Sequence, residues 1–357
     1  MTLSRISMKK LALVLLACAM SGTSFAADNN VGFVYVSPIG DAGWTYQHDL
    51  GRLQLEKETG VTTSYVENVA EGADAERVIR EMAKRGDKVI FATSFGYMNY
   101  ALKVSKSFRT SAFVHVTGYK MGKNMGLVNA RFYEGRYLTG VIAGEMSKSN
   151  VLGYVAAFPI PEVLQGINAF IKGARSVNPK AELRVIWVNS WYDPGKERQA
   201  SMTLMSQGAD VITHHTDSTA VVQAAEEEGK YAFGYHSDMS KYGPRAHLTS
   251  TTHHWGDYYV KTVKEALDGN WVPTSVWGGY ARGMIKLAPL NDAIPAELQA
   301  RIKDMEKQLT ERTLHPFAGP VIDQAGKTIV PAGRDMDDGQ LNKMNYYLQG
   351  VVSKIPN

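Results

Sequence analysis

Along residues 31–117 the apolar positions fall in short runs, Val31–Val36, Thr62–Val66, Lys88–Thr93 and Ala112–Thr117, and the stretches between them are long enough for helices. Strand-length runs alternating with helix-length segments predict a parallel sheet covered by helices. The clearest helix lies in EGADAERVIREMAKRGDKVIFATS, where Ala75, Val78, Ile79 and Met82 recur at i, i+3, i+4 and i+7. Gly86 predicts its end, and the apolar run that follows is the next strand.

The same order recurs about 120 residues later in WVNSWYDPGKERQASMTLMSQGADVITHHTDS, with a strand, Asn189, a helix opening at Pro194, Gly208, and a strand at Val211–Thr213. Both copies continue with a polar loop, a helix and another strand: SFGYMNYALKVSKSFRTSAFVHVTGY and HHTDSTAVVQAAEEEGKYAFGYHSD. Two α/β lobes of related, doubly wound topology are therefore expected. NARFYEGRYLTGVIAGEMSKSN lies between them as a helix expected to cross from lobe to lobe, with Tyr137, Val141 and Ile142 on one face and Gly135, Gly140 and Gly144 permitting close packing. The tail after Gly319 reads as a hairpin followed by a closing amphipathic helix in LNKMNYYLQGVV.

The first residues carry Arg5, Lys9 and Lys10, an apolar run from Leu11, and small residues ending at Ala26, the pattern of a secretory signal. The apolar run is short of the roughly 20 residues a spanning helix needs. Cleavage after Ala26 is the preferred reading; Leu15-Leu16-Ala17-Cys18 offers a lipid anchor at Cys18 as the alternative. Cys18 is the only cysteine, so the mature chain is expected to be held by a hydrophobic core without disulfides. Without the three basic residues of the leader, 36 basic residues face 35 acidic ones, a balance that argues against a nucleic-acid partner.

Ligands of open parallel sheets bind beyond the carboxyl ends of the strands. The segments there are aromatic and polar: SPIGDAGWTYQ, SFGYM and GYK in the first lobe, NSWYD, HHTDS and YHSDM in the second. Trp44 and Trp191 sit in such loops of different lobes and could clamp a flat ligand; on position alone either could equally be core. Tyr46, Phe95 and Tyr119 are further candidate contacts from the first-lobe loops. Asp217 and Asp238, with His236, His214 and His215, could read the polar edges of that ligand. Asp217 could equally cap the helix beginning near Ser218, and Asp41 and Asp193 could be caps.

No G-x-S-x-G elbow, H-E-x-x-H, phosphate-binding G-x-x-x-x-G-K-[ST] or cysteine nucleophile occurs in the mature chain, so a binding protein is favoured over an enzyme. Adjacent histidines on a strand face opposite sides, so His214-His215 and His253-His254 do not make a metal site. No cofactor or metal is expected.

SPIGDAGWTYQHDLG, the segment from NARFYEGRYLTG to GARSVNP, VNSWYDPGKE and HPFAGPVIDQAGKTIV together closely resemble the basic membrane protein family, substrate-binding proteins of ABC importers. The resemblance spans essentially the whole mature chain. It implies a type I periplasmic-binding-protein fold with a multi-crossover hinge, a monomer closing over a small molecule, and permease subunits as partners in the periplasm. The implied divisions are a leader at 1–26, a first lobe at 30–130 plus about 249–284, a second at 150–247 plus about 285–318, and a tail at 319–357 packing on the lobes. Characterised members include purine nucleoside binders whose stacking aromatics match Trp44 and Trp191. Such members tend to carry G-V-D-S-D, whose first acid holds the ribose, whereas His236 stands there in Gly234-Tyr235-His236-Ser237-Asp238. Where they carry T-S-x-x-K with a lysine reaching the sugar, this chain has His253. The expected ligand is therefore a free purine base such as adenine, guanine or hypoxanthine. A nucleoside or sugar-like ligand is the alternative, and a secreted purine-acting enzyme the alternative of another class.

Overall fold

Val31, Phe33 and Val34 carry no exposed surface, because the first strand is covered by helices on both faces. The computed structural model describes residues 30–356. The leader and the proposed anchor at Cys18 lie outside the described residues.

The first lobe runs β1 (Asn30–Val34), α1 (Trp44–Thr59), β2 (Thr62–Val66), α2 (Ala73–Arg85), β3 (Val89–Ala92), α3 (Met98–Ser105), β4 (Ala112–Val116) and β5 (Met125–Ala130). Helix α2 buries Ala75, Val78, Ile79, Met82 and Ala83 and ends at Gly86, whose φ of 93° is left-handed, as its periodicity predicts. Helix α4 (Phe132–Met146) leads into β6 (Val151–Ala156), α5 (Pro161–Val177), β7 (Glu182–Trp187), α6 (Pro194–Ser206), β8 (Val211–His214), α7 (Ala220–Glu227), β9 (Tyr231–His236) and β10 (His247–His253). The chain then returns through α8 (Gly256–Leu267) and β11 (Ser275–Gly278) and crosses again to β12 (Ile285–Leu287) and α9 (Ala296–Glu311).

The two six-stranded sheets have the orders β11-β5-β4-β3-β1-β2 and β12-β10-β9-β8-β6-β7. Substituting β6–β10 for β1–β5 turns one order into the other, so the lobes share their topology. Only β12 among these strands pairs antiparallel, against β10. Three connections cross between the sheets: α4, the segment after β10, and the segment from β11 to β12. Residues 249–253 lie in β10 of the second sheet, so the first lobe resumes near Trp255 rather than near residue 249 as the sequence suggested. Thr249–Thr252, with β-branched Thr249, Thr251 and Thr252, pairs with β9, and this pairing holds it in the second lobe.

Helix α4 packs on α5 at glycine contacts. A Cβ on Gly140 would stand 2.1 Å from the Phe170 carbonyl oxygen, and one on Gly173 2.2 Å from that of Tyr137.

The tail departs from expectation. A hairpin of β13 (Val321–Ile322) and β14 (Thr328–Val330) is present, but α10 spans only Asp338–Leu341. Beyond it the chain turns and runs along the edge of β7: Leu183 N–H donates to Gly350 O at 2.8 Å and Val352 N–H to Leu183 O at 3.0 Å. Met344, Tyr347, Leu348 and Val351 are buried in the second lobe's core. Gly350, with φ 102°, and the sheet edge that needs covering outweigh the helical spacing.

Candidate functional site

Between the carboxyl ends of the two sheets lies a cavity walled by residues of both lobes. The first lobe contributes Val36, Trp44, Ser94, Phe95 and Thr117 to its wall. The second contributes Glu162, Trp191, His215, Asp217, Tyr235 and His236. Thr117 (φ 66°) and His236 (φ 70°), both at strand ends, hold left-handed backbone. For a β-branched residue this is strained, and such strain clusters where a ligand is held.

Trp44 opens α1 and is 8% exposed. Its indole N–H donates to Thr93 O at 2.7 Å, and its ring meets the edges of His48 at 4.3 Å and Trp255 at 5.5 Å. The ring is thus locked before any ligand arrives. Trp191 follows β7, rests on Phe158 at 4.7 Å, and donates its N–H across the cleft to Glu71 Oε1 at 3.1 Å. Two indoles therefore wall one cavity from opposite lobes.

The polar side of the cavity is a chain of buried groups. Asp217 Oδ1 is 3.1 Å from His236 Nε2, which also faces His215 O at 3.3 Å. A carbonyl only accepts, so Nε2 carries the proton; His236 Nδ1 then accepts from His253 Nδ1 at 3.2 Å. Burial pushes both imidazoles well below the usual histidine range, with His253 adding to the fall at His236 and Arg136 to that at His253, so both are neutral. Burial also pushes the Asp217 carboxyl well above its ordinary range, with Glu197 and Glu162 adding to the rise and Ser37 opposing it. Glu162, in the first turn of α5, accepts from His215 Nε2 at 3.2 Å.

The lobes are shut on one another. Gly43 N–H donates to Ser237 Oγ at 2.8 Å, and Lys241 Nζ pairs with Asp41 at 2.7 Å, with the Tyr242 hydroxyl on the same carboxylate.

Of the residues singled out from sequence, Trp44, Phe95, Trp191, His215, Asp217 and His236 line this cavity. His253 is fully buried one layer behind, reaching the cavity only through His236. Four do not line it. His214 is buried, with its Nδ1 2.9 Å from Thr216 O. Asp238 is exposed and accepts from Ser240 N–H at 2.9 Å, tying its own turn. Tyr46 is half-buried on α1, on a different face from Trp44. Tyr119 is 67% exposed, with its ring 6.4 Å from Phe95. Asp217 does not cap α7, where Ser218 Oγ accepts from Ala220 N–H; Asp193 does cap α6, accepting from Lys196 N–H at 3.0 Å. Asp41 holds the opposite lobe instead of a helix. Glu162, Tyr235 and Glu71 were missed. Glu162 carried a signal, an acid directly after Pro161 in the segment that follows β6, and Tyr235 opens the segment YHSDM.

The family profile for Bmp, described as ABC transporter substrate-binding protein, PnrA-like, matches residues 28–315. The chain belongs to the Bmp family. A purine-binding protein of Brucella abortus is 48% identical to it over 340 residues, covering 94% of this chain and 97% of that protein. A candidate ABC transporter glucose-binding protein of Haloferax volcanii is 35% identical over 336 residues, covering 94% and 83%. The solved structure of an ABC transporter solute-binding protein from Aeropyrum pernix K1 superposes with a TM-score of 0.70 at 16% identity, covering 80% of this chain and 92% of that one, a likeness of fold. The fold of this Bmp protein is the type I periplasmic-binding fold. As the substrate-binding component of an ABC transporter it takes a small-molecule ligand, meets permease subunits, and acts outside the cytoplasm. Family and relatives are binding proteins and not enzymes. Among the described residues no helix is long and apolar enough to cross a membrane.

Proposed function

We propose that this Bmp protein captures a free purine base in the periplasm by closing Trp44 and Trp191 over it, and delivers it to an importer's permease. The observation that carries the reading is the pair of indoles walling one cavity from opposite lobes, beside the acceptors Asp217 and Glu162. Stacking a base on an aromatic ring contributes roughly 1–3 kcal/mol, and buried polar groups set identity. The Brucella abortus relative named as purine-binding supports this ligand class.

A base is favoured over a nucleoside because His236 and His253 stand where ribose-holding groups are expected, and both are committed to a neutral hydrogen-bonded pair. Neither matches a carboxylate or a lysine as a partner for ribose hydroxyls. Native mass spectrometry of protein mixed with equal amounts of adenine, guanine, hypoxanthine, their nucleosides and glucose tests the reading. Base adducts should dominate. A dominant nucleoside adduct overturns the base assignment, and a dominant glucose adduct favours the ligand named for the Haloferax volcanii relative.

A further inference from the structure

We infer that Glu162, acting with Asp217, makes the cavity select purines that carry an exocyclic amine, adenine and guanine, over those that carry only oxo groups, hypoxanthine and xanthine. The inference rests on the purine reading and narrows it. Two acidic side chains, Glu162 and Asp217, line the same cavity, while no lysine or arginine stands among its described lining residues. The nearby guanidinium of Arg136 is spent elsewhere: it donates to Thr213 Oγ1 at 2.9 Å and His214 O at 2.6 Å and lies over the Tyr235 ring.

Glu162 is held in place. Its Oε1 faces His215 Nε2 at 3.2 Å, its side chain is 14% exposed, and it sits in the first turn of α5, where the helix dipole favours negative charge. His215 Nε2 is turned to Glu162, and His215 Nδ1 has no protein partner. The second lobe thus offers the ligand the Glu162 carboxylate as an acceptor, with Asp217 and His215 beside it. A ligand amine supplies donors to such a wall, whereas an oxo group would set lone pairs against a carboxylate and leave both unpaired. Mismatched buried polar groups are what give a site strong discrimination between isosteres. The same wall repels anionic ligands, including phosphorylated purines.

Calorimetric titration of the mature protein and of Glu162→Gln with adenine, guanine, hypoxanthine and xanthine tests this. The natural protein should bind the amine-bearing pair at least ~10-fold more tightly than the oxo pair. Glu162→Gln, whose amide can donate to an oxo group, should shrink that gap to a few-fold or reverse it. Purines bound without discrimination overturn the selectivity and leave the purine reading standing. Failure of all four to bind overturns the purine reading and the selectivity with it. If Glu162→Gln weakens all four equally with an unchanged melting temperature, Glu162 is not the discriminating group. The panel on the natural protein needs no variant to fold.

Discussion

The Trp191 indole N–H donates to Glu71 Oε1 at 3.1 Å from the opposite lobe, and the same oxygen accepts from Ser94 Oγ at 2.6 Å and Gly96 N–H at 2.8 Å. Glu71 is seated by its own lobe, and a Cβ on Gly96 would stand 2.3 Å from its carboxyl carbon. It meets Trp191 only when the cleft is shut, so it aims the second indole at the moment of capture. The bond is solvent-exposed, which limits its strength. Glu71→Ala should weaken ligand binding about 3–10-fold. Trp191→Phe, which removes the N–H but keeps a ring, should add little more in the Glu71→Ala background. A calorimetric double-mutant cycle checks this, and fully additive losses would show that the two residues act separately.

The two indoles should part company when truncated. Each of Trp44→Ala and Trp191→Ala should cost tenfold or more in affinity. Trp44 is buried among His48, Phe132 and Trp255, so its loss should also destabilise the fold by about 3–5 kcal/mol. Trp191 is half-buried at the cleft and its loss should barely move the melting temperature. Calorimetry paired with thermal melts separates these effects. Unchanged affinity in both variants would remove the clamp.

At Gly43 the lobes approach closely: a Cβ there would lie 2.2 Å from the Asp217 carbonyl oxygen, and its φ is 98°. Gly43→Ala should leave the lobes folded but prop them apart. Small-angle scattering should then show no compaction on addition of a ligand that compacts the natural protein, and affinity should fall at least tenfold. Normal compaction would mean that closure does not need this contact.

The raised Asp217 carboxyl gives opposite pH trends for stability and for binding. The folded protein holds this proton more tightly than the unfolded chain does. Stability from this group is therefore present at low pH and is lost as pH rises from the ordinary carboxyl range through the raised value. Only the ionised form is a pure acceptor, so affinity for a donor-bearing ligand should rise over that same window. Asp217→Asn should raise the melting temperature of the ligand-free protein at neutral pH by a few degrees, flatten the pH dependence, and weaken binding. A lower melting temperature would contradict the assignment of cause.

The parallel sheets and the amphipathic α2 were legible because apolar spacing in covered sheets reports burial directly. The tail was misread because LNKMNYYLQGVV has helical spacing, yet its backbone groups are claimed by the edge of β7, a partner more than 150 residues away. Loop position alone found Trp44, Phe95, Trp191, His215, Asp217 and His236, since strand ends place them at the cleft. It could not separate Asp217 from Asp238, each close behind a second-lobe strand, because one enters the cavity and the other ties a turn. Glu71 was hidden because it acts through a contact that exists only between closed lobes.

Isothermal titration of adenine against adenosine on the same ligand-stripped protein tests the central claim most directly. Adenine should bind at least tenfold more tightly, because His236 and His253 offer the ribose neither an acid nor a lysine. Tighter binding of adenosine would contradict the account.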